Sequence, residues 1–421
     1  MPTHEDEYFR LRDEQLEHRL GRERGLSRRE LVRLGAAGAL ALAAGPALRT
    51  ATARAQAPAG PIVKPLPPEW FTVLGTNAEM RWEAMRGEDY VTPAAKFFVR
   101  NHTATPLIDA RTWRLQVFGS GLRRPEGREF SLRDLLKLPS REIPAFIECA
   151  GNGRSLFGSQ QGTPAAGSAW KLGAIGVARW RGVPLREVLE RAGVTRRAVD
   201  VLPEGLDATV VAGGADQGHV RRPLPVEKAL DDALLAYEMN GAPIPPDHGF
   251  PLRLVVPGWI GIASIKWLGR IEVADRPLFS YWNTTQYRMV GPDYPPDAPP
   301  LTTQPVKSAF ELPWGGSLPA GRTRLTGRSW SGGRPIRRVE VRIDGPGGAG
   351  PVRRARLHGP DKEHAWVRWS IDADLREPGA HALLARATDR DGVTQPDTVP
   401  FNTNGYQFWA VARHPVTVTA G

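Results

Sequence analysis

The chain has 421 residues, 41% hydrophobic and 24% charged, which excludes a disordered chain and predicts two or three domains. It carries 56 Lys and Arg against 45 Asp and Glu, a net charge of +11, yet the arginines are scattered and form no nucleic-acid motif. Nucleic acid is therefore not an expected partner, whereas small anions and acidic proteins are.

Read from the N-terminus, Ser27-Arg28-Arg29-Glu30-Leu31-Val32-Arg33-Leu34 looks like a twin-arginine export signal. The apolar stretch Leu34 to Leu48 is interrupted by Gly35, Gly38 and Gly45, and is too short and too weakly hydrophobic for a membrane span. Ala53-Arg54-Ala55 and Ala55-Gln56-Ala57 both offer a small-x-small cleavage site. Residues 1–57 are thus expected to address the chain to the periplasm or another extracytoplasmic space, with no integral membrane span after removal. Twin-arginine export carries folded proteins, often those that acquire a cofactor first.

Residues 58–95 are expected as an N-terminal arm, proline-rich from Pro58 to Pro68. A catalytic domain of mixed α and β pattern follows over 96–277. Within it Ser131 caps a short helix that places Leu132, Leu135 and Leu136 on one face. Leu185, Val188, Leu189 and Ala192 lie at helical spacing, and Gly193 ends that helix. Leu234 to Met239 reads as a buried strand before an Asn240-Gly241 turn, and Leu252 to Val256 as another, ended by Pro257-Gly258. Residues 278–304 are expected as a linker, with proline clustered between Gly291 and Pro305. Beyond it, over 305–421, Val339, Val341 and Ile343 alternate with charged residues, as do Ala365, Val367, Trp369 and Ile371, then Leu383, Ala385 and Ala387. Period-two runs between glycine-rich turns predict an immunoglobulin-like β-sandwich.

The chemistry is expected in Phe146-Ile147-Glu148-Cys149-Ala150-Gly151-Asn152-Gly153-Arg154-Ser155, where an apolar strand delivers the only cysteine into a loop of small residues. A single cysteine excludes an internal disulfide. Cys149 can be an inert buried thiol, a hydrolase nucleophile or a soft metal ligand whose ionised form a basic neighbour favours. His102, His219 and His248 are available as bases, but no cysteine-hydrolase signature is present; His219 is read as structural.

Glu148-Cys149-Ala150-Gly151-Asn152-Gly153-Arg154-Ser155 resembles the molybdenum-ligand loop of the sulfite oxidase family, which includes assimilatory nitrate reductases. Collinear with it are Phe97-Phe98-Val99-Arg100-Asn101-His102, Glu204-Gly205-Leu206-Asp207, Leu235 to Gly241, Asp247 to Arg253, and Lys266-Trp267-Leu268-Gly269. Trp330-Ser331-Gly332-Gly333 and Thr394 to Thr398 continue the likeness, which covers roughly Lys96 to Val418. The resemblance implies an α+β fold: a mixed α/β molybdopterin-binding domain of sulfite oxidase type, then an immunoglobulin-like β-sandwich dimerisation domain.

By the same resemblance, Cys149 is the protein ligand of molybdenum. Phe98, Asn101, His102, Asp207, His248, Arg253, Ser264, Ile265 and Lys266 hold the molybdopterin and its phosphate, Ser264 standing where the family often has His. Arg100, Arg154, Trp170 and Tyr287 form the substrate pocket. The implied activity is oxidation of sulfite to sulfate by a homodimer. No haem is expected in this chain, because it has no Cys-x-x-Cys-His motif, so a separate acceptor, a c-type cytochrome, takes the electrons. Alternatives are a related reduced-sulfur (sulfane) dehydrogenase subunit, a periplasmic sulfoxide reductase, or a non-catalytic exported partner. Two departures bear on substrate: Gly153 stands where animal and plant members carry arginine, and Asn404 lies in a segment where vertebrate members place another.

Overall fold

The computed structural model describes Arg10 and residues 61–420, so the twin-arginine motif and both cleavage sites lie outside the described residues. Two five-stranded sheets build the region before residue 275. One orders Leu224–Pro225, Asp200–Gly205, Leu268–Ala274, Arg114–Phe118 and Arg128–Ser131, with a single parallel pairing between Leu268–Ala274 and Arg114–Phe118. The other orders Ala242–Pro243, Leu234–Met239, Ile175–Pro184 and Arg141–Glu148, with Arg253–Val255 also paired to Leu234–Met239. Every residue of Leu234–Met239 is buried, Glu238 included, so this strand is covered on both faces rather than alternating between core and solvent. The turn after it uses positive φ at both Asn240 (56°) and Gly241 (80°).

Helices are few and short. Leu132–Leu136 begins in a Ser131/Asp134 capping box, and Leu185–Ala192 ends at Gly193 with φ 88°. Helices of five and eight residues do not stand alone in water, so burial of Leu132, Leu135, Leu185, Val188 and Leu189 holds them.

The C-terminal region is a β-sandwich. A four-stranded sheet orders Lys307–Phe310, Gly321–Trp330, Trp366–Leu375 and Arg356–His358. A six-stranded sheet orders Gly316–Pro319, Arg413–Thr419, Gly379–Asp389, Ile336–Gly345 and Gly348–Ala349, with Arg353–Arg354 also on Ile336–Gly345. Val339 and Val341 from one sheet meet Val367, Trp369, Ile371 and Ala373 from the other in a common core, as the period-two pattern requires.

The sandwich is not insulated from the rest. A second core cluster runs from Met80 and Trp82 through Phe146, Trp170 and Trp180 to Trp330, Trp366 and Phe408. Residues 71–85, assigned by sequence to an arm, are part of it. Phe71–Leu74 and Asn77–Met80 form a hairpin, and Trp82 stacks on Trp330 at 5.8 Å between ring centroids. The expected linker likewise carries a helical turn, Tyr281–Thr284, with Trp282 fully buried.

The hairpin also buries a carboxyl group. Glu79 accepts the Gly173 amide proton at 2.8 Å, and burial raises its pKa to about 7 against the opposing effect of that bond. The folded state therefore holds this proton more tightly than the unfolded chain, and stability falls as pH rises from about 4.5 to about 7. The span is worth about 3 kcal/mol. Glu79→Gln should melt above wild type at pH 8 and converge with it near pH 5. Melting curves displaced equally at both pH values would contradict this origin.

Candidate molybdopterin site

Cys149 follows directly on the strand Arg141–Glu148, and its amide donates to Ala174 O at 2.9 Å. The loop after it is held from the sandwich. Glu148 Oε1 accepts from Lys307 Nζ (2.8 Å) and Asn152 Nδ2 (2.8 Å), and Oε2 from Trp330 Nε1 (2.9 Å). Lys307 Nζ also donates to Asn152 O at 2.8 Å, and Gln304 Nε2 to Glu148 O at 2.8 Å. Glu148 is 0% and Lys307 1% exposed, so each charge depends on the other. Lys307→Met should cost about 3–5 kcal/mol in urea unfolding, and adding Glu148→Gln should recover most of it. Equal loss in both variants would contradict the pairing.

Cys149 opens into a partly enclosed cavity. All the expected site residues except Arg154 and Trp170 line it: Phe98, Arg100, Asn101, His102, Asp207, His248, Arg253, Ser264, Ile265, Lys266 and Tyr287 join Cys149. Away from the thiol the walls are cationic. Burial lowers Lys266 well below the usual lysine range, with Arg253 adding to the effect, and lowers Arg253 itself to about 9. His248 is lowered well below the usual histidine range by burial, then by Lys64 and Lys266. Lys64, which sequence reasoning missed, is lowered to about 7 by burial. Asp207 moves the other way, to about 6, again through burial.

Several polar atoms here have no partner among the described residues: His248 Nε2, Arg253 Nε and both carboxyl oxygens of Asp207. Partnered atoms fix the frame. Arg253 Nη1 donates to His248 O (2.8 Å) and Nη2 to Ser264 O (3.1 Å), while Ser264 Oγ accepts from Val256 N (3.1 Å). Lys266 Nζ donates to Asn101 Oδ1 and, at 2.9 Å, to Asp247 O. Thr105 ties Asn101 to Asp247, through bonds of 2.9 Å and 2.6 Å. His219 Nδ1 donates to Asp207 O, a structural role. Buried cations and orphaned donors suit a phosphate, and orphaned acceptors suit the amino and ring N–H groups of a pterin. Among the described residues no three His, Cys, Asp or Glu side chains converge on one point. A metal at Cys149 would thus take one protein sulfur and draw further donors from the cofactor, as a pterin dithiolene allows.

At the thiol end Arg100 is a hydrogen-bond neighbour of Cys149, and its pKa is raised: burial opposes charge, and Tyr287 and Cys149 outweigh it. Arg100 Nη2 lies 3.0 Å from His102 Nε2, which is 3.5 Å from the Tyr287 hydroxyl. Arg154 and Trp170 sit behind the lining. Arg154 Nε donates to Asn404 O (2.8 Å) and Nη1 to Ser168 O (2.9 Å), and its guanidinium lies 5.6 Å from the Tyr406 ring. Trp170 is fully buried and packs edge-on against the lining residue Phe98 at 6.4 Å, its Nε1 unpartnered.

Gly153 has φ 96°, and a Cβ there would press on Phe408 at 3.0 Å. It does not line the cavity. An arginine at 153 would therefore meet Phe408, so in this chain the glycine follows from backbone geometry and packing rather than from a charge removed at the anion site.

Residues 102–282 match the oxidoreductase molybdopterin binding domain and residues 315–418 the Mo-co oxidoreductase dimerisation domain. Sulfite oxidase of Gallus gallus is 37% identical over 342 residues, covering 77% of this chain and 72% of that protein. The chain belongs to the sulfite oxidase family. Mitochondrial sulfite oxidase of Mus musculus is 37% identical over 345 residues, 77% of this chain and 60% of that protein, so the chain spans about 60% of such relatives. A nitrate reductase of Hordeum vulgare is 32% identical over 360 residues, 78% of this chain and 39% of its own length. The crystal structure of the sulfane dehydrogenase SoxCD from Paracoccus pantotrophus superposes with a TM-score of 0.68 at 28% identity, covering 85% of this chain and 91% of that one. The cavity is thus the pocket of a molybdopterin-binding domain, and the α+β catalytic region followed by a sandwich is the family's architecture.

Proposed function

We propose that this chain oxidises sulfite to sulfate as a homodimer and passes two electrons to a separate c-type cytochrome after twin-arginine export. The observation that carries the reading is the meeting of Cys149, Arg100 and Tyr287 in one cavity whose far wall is a buried cationic frame. The bound molybdenum–molybdopterin centre supplies the two-electron chemistry. His248, Arg253 and Lys266 would hold its phosphate, Asp207 and Asn101 its pterin, and Cys149 its metal.

The chain's own residues supply the anion site. The Arg100 guanidinium offsets substrate charge beside the thiol, and burial strengthens that attraction. The Tyr287 hydroxyl, next to His102 Nε2, donates to a substrate oxygen. Arg154, anchored on two carbonyls, adds charge from behind the wall and orders the loop that carries Cys149. Arg154→Gln should therefore lower kcat/KM for sulfite roughly 10-fold, mainly through KM, as expected when a buried charge that acts through its field rather than by contact is lost. An unchanged KM would exclude Arg154 from the substrate's field.

The test is sulfite-dependent reduction of cytochrome c by the purified holoenzyme, for which saturable turnover is expected. A second reading, oxidation of sulfane sulfur, is favoured by the likeness to sulfane dehydrogenase SoxCD. No turnover with free sulfite, together with turnover of a sulfane-sulfur compound, would replace the first reading by the second.

A further inference from the structure

Arg222 is a guanidinium that neither the family motifs nor the cavity lining accounts for. It is 1% exposed, and burial lowers its pKa to about 10. Among the described residues no carboxylate contributes to its field; Tyr287 and Tyr406 are its electrostatic neighbours. Nη1 donates to Trp282 O and Nη2 to Leu301 O at 2.5 Å, while Nε has no partner among the described residues. Its guanidinium carbon lies 5.7 Å from the Tyr287 ring.

Those two carbonyls bracket the segment that delivers Tyr287. Leu301 N donates to Tyr287 O at 2.8 Å, and Trp282 meets the His102 ring edge-on at 5.9 Å. Tyr287 also stacks on Tyr406 at 5.0 Å, and the Arg154 guanidinium lies 5.6 Å from the Tyr406 ring. Arg222 and Arg154 therefore each lie against one of a stacked pair of tyrosines, with Arg100 at the cavity wall. A buried cation without a carboxylate is costly, and its field reaches far in a medium that excludes water. The uncompensated charge points to an anion that is not part of the chain.

We propose that Arg222 is a specificity-determining residue: a third guanidinium behind Tyr287 that tunes the anion site for doubly charged over singly charged oxyanions. This rests on the sulfite reading for its substrate class. Acting through Tyr287 rather than touching the reacting atoms, Arg222 should alter affinity more than chemistry.

The experiment compares holoenzyme carrying Arg222→Gln and Arg222→Lys with wild type. Gln keeps an N–H donor for a backbone carbonyl and loses the charge; Lys keeps the charge and loses the fork. Arg222→Gln should raise KM for sulfite about tenfold with kcat within about threefold, and should weaken sulfate inhibition far more than perchlorate inhibition. Arg222→Lys should restore both within about threefold. A Gln variant with wild-type KM and an unchanged sulfate-to-perchlorate ratio would overturn the proposal, as would a Lys variant as defective as Gln. Sulfate stabilisation of the holoenzyme, read as a melting shift, needs no turnover. If wild type does not oxidise sulfite yet sulfate stabilises it and not Arg222→Gln, the proposed activity fails and the role of Arg222 stands.

Discussion

Cys149→Ser is expected to lower sulfite turnover at least about a thousandfold, roughly 4 kcal/mol of barrier, while leaving the fold in place. The side chain is nearly isosteric, and the backbone bond to Ala174 O does not depend on sulfur. A serine hydroxyl does not ionise near neutral pH and is a hard donor, so the soft metal loses its protein ligand. The melting temperature of the apo protein should stay within a few degrees of wild type, because the loop is clamped by Glu148, Asn152 and Lys307 rather than by the thiol. Turnover at the wild-type rate in this variant would remove the cysteine from the mechanism.

Lys266→Met should separate cofactor retention from folding. Lys266 is buried against Arg253, and burial disfavours its charge. Replacing it with a side chain of similar length removes that desolvation cost, at the expense of one donor each for Asn101 Oδ1 and Asp247 O. The apo protein should therefore melt no lower than a few degrees below wild type. Cofactor affinity should fall roughly 10- to 100-fold, the scale of one charge-assisted phosphate contact. The loss should deepen as pH falls toward the lowered pKa of the apo lysine, because burial disfavours its charge and phosphate binding restores it, so that binding takes up a proton. Full cofactor content in the variant would place the phosphate elsewhere.

Local signals were legible in the sequence. Cys149 and its loop are contiguous, so one strand-to-loop transition marks them, and the capped helices and the period-two strands obey short-range rules. The cavity residues from Phe98 to Lys266 were legible only as motifs in order, since strand pairing from different parts of the chain brings them together. What stayed hidden is what depends on distant partners. Lys307 is 159 residues from Glu148, and nothing local marks either as half of an ion pair. Arg222 reads as one of many scattered arginines until burial and Tyr287 set it apart. Arg154 and Trp170 were placed in the pocket by motif, whereas packing sets them one layer behind it. Gly153 looked like a missing charge, and only its positive φ and the approach of Phe408 give its reason.

The central claim is that Cys149 anchors molybdenum in this pocket. Its most direct test is molybdenum per chain in protein purified from a host that makes molybdopterin, measured by mass spectrometry for wild type and Cys149→Ser. The account predicts close to one molybdenum per wild-type chain, with pterin recovered in equal amount and much less metal in the variant. Wild-type chain that is folded and free of both metal and pterin would contradict it.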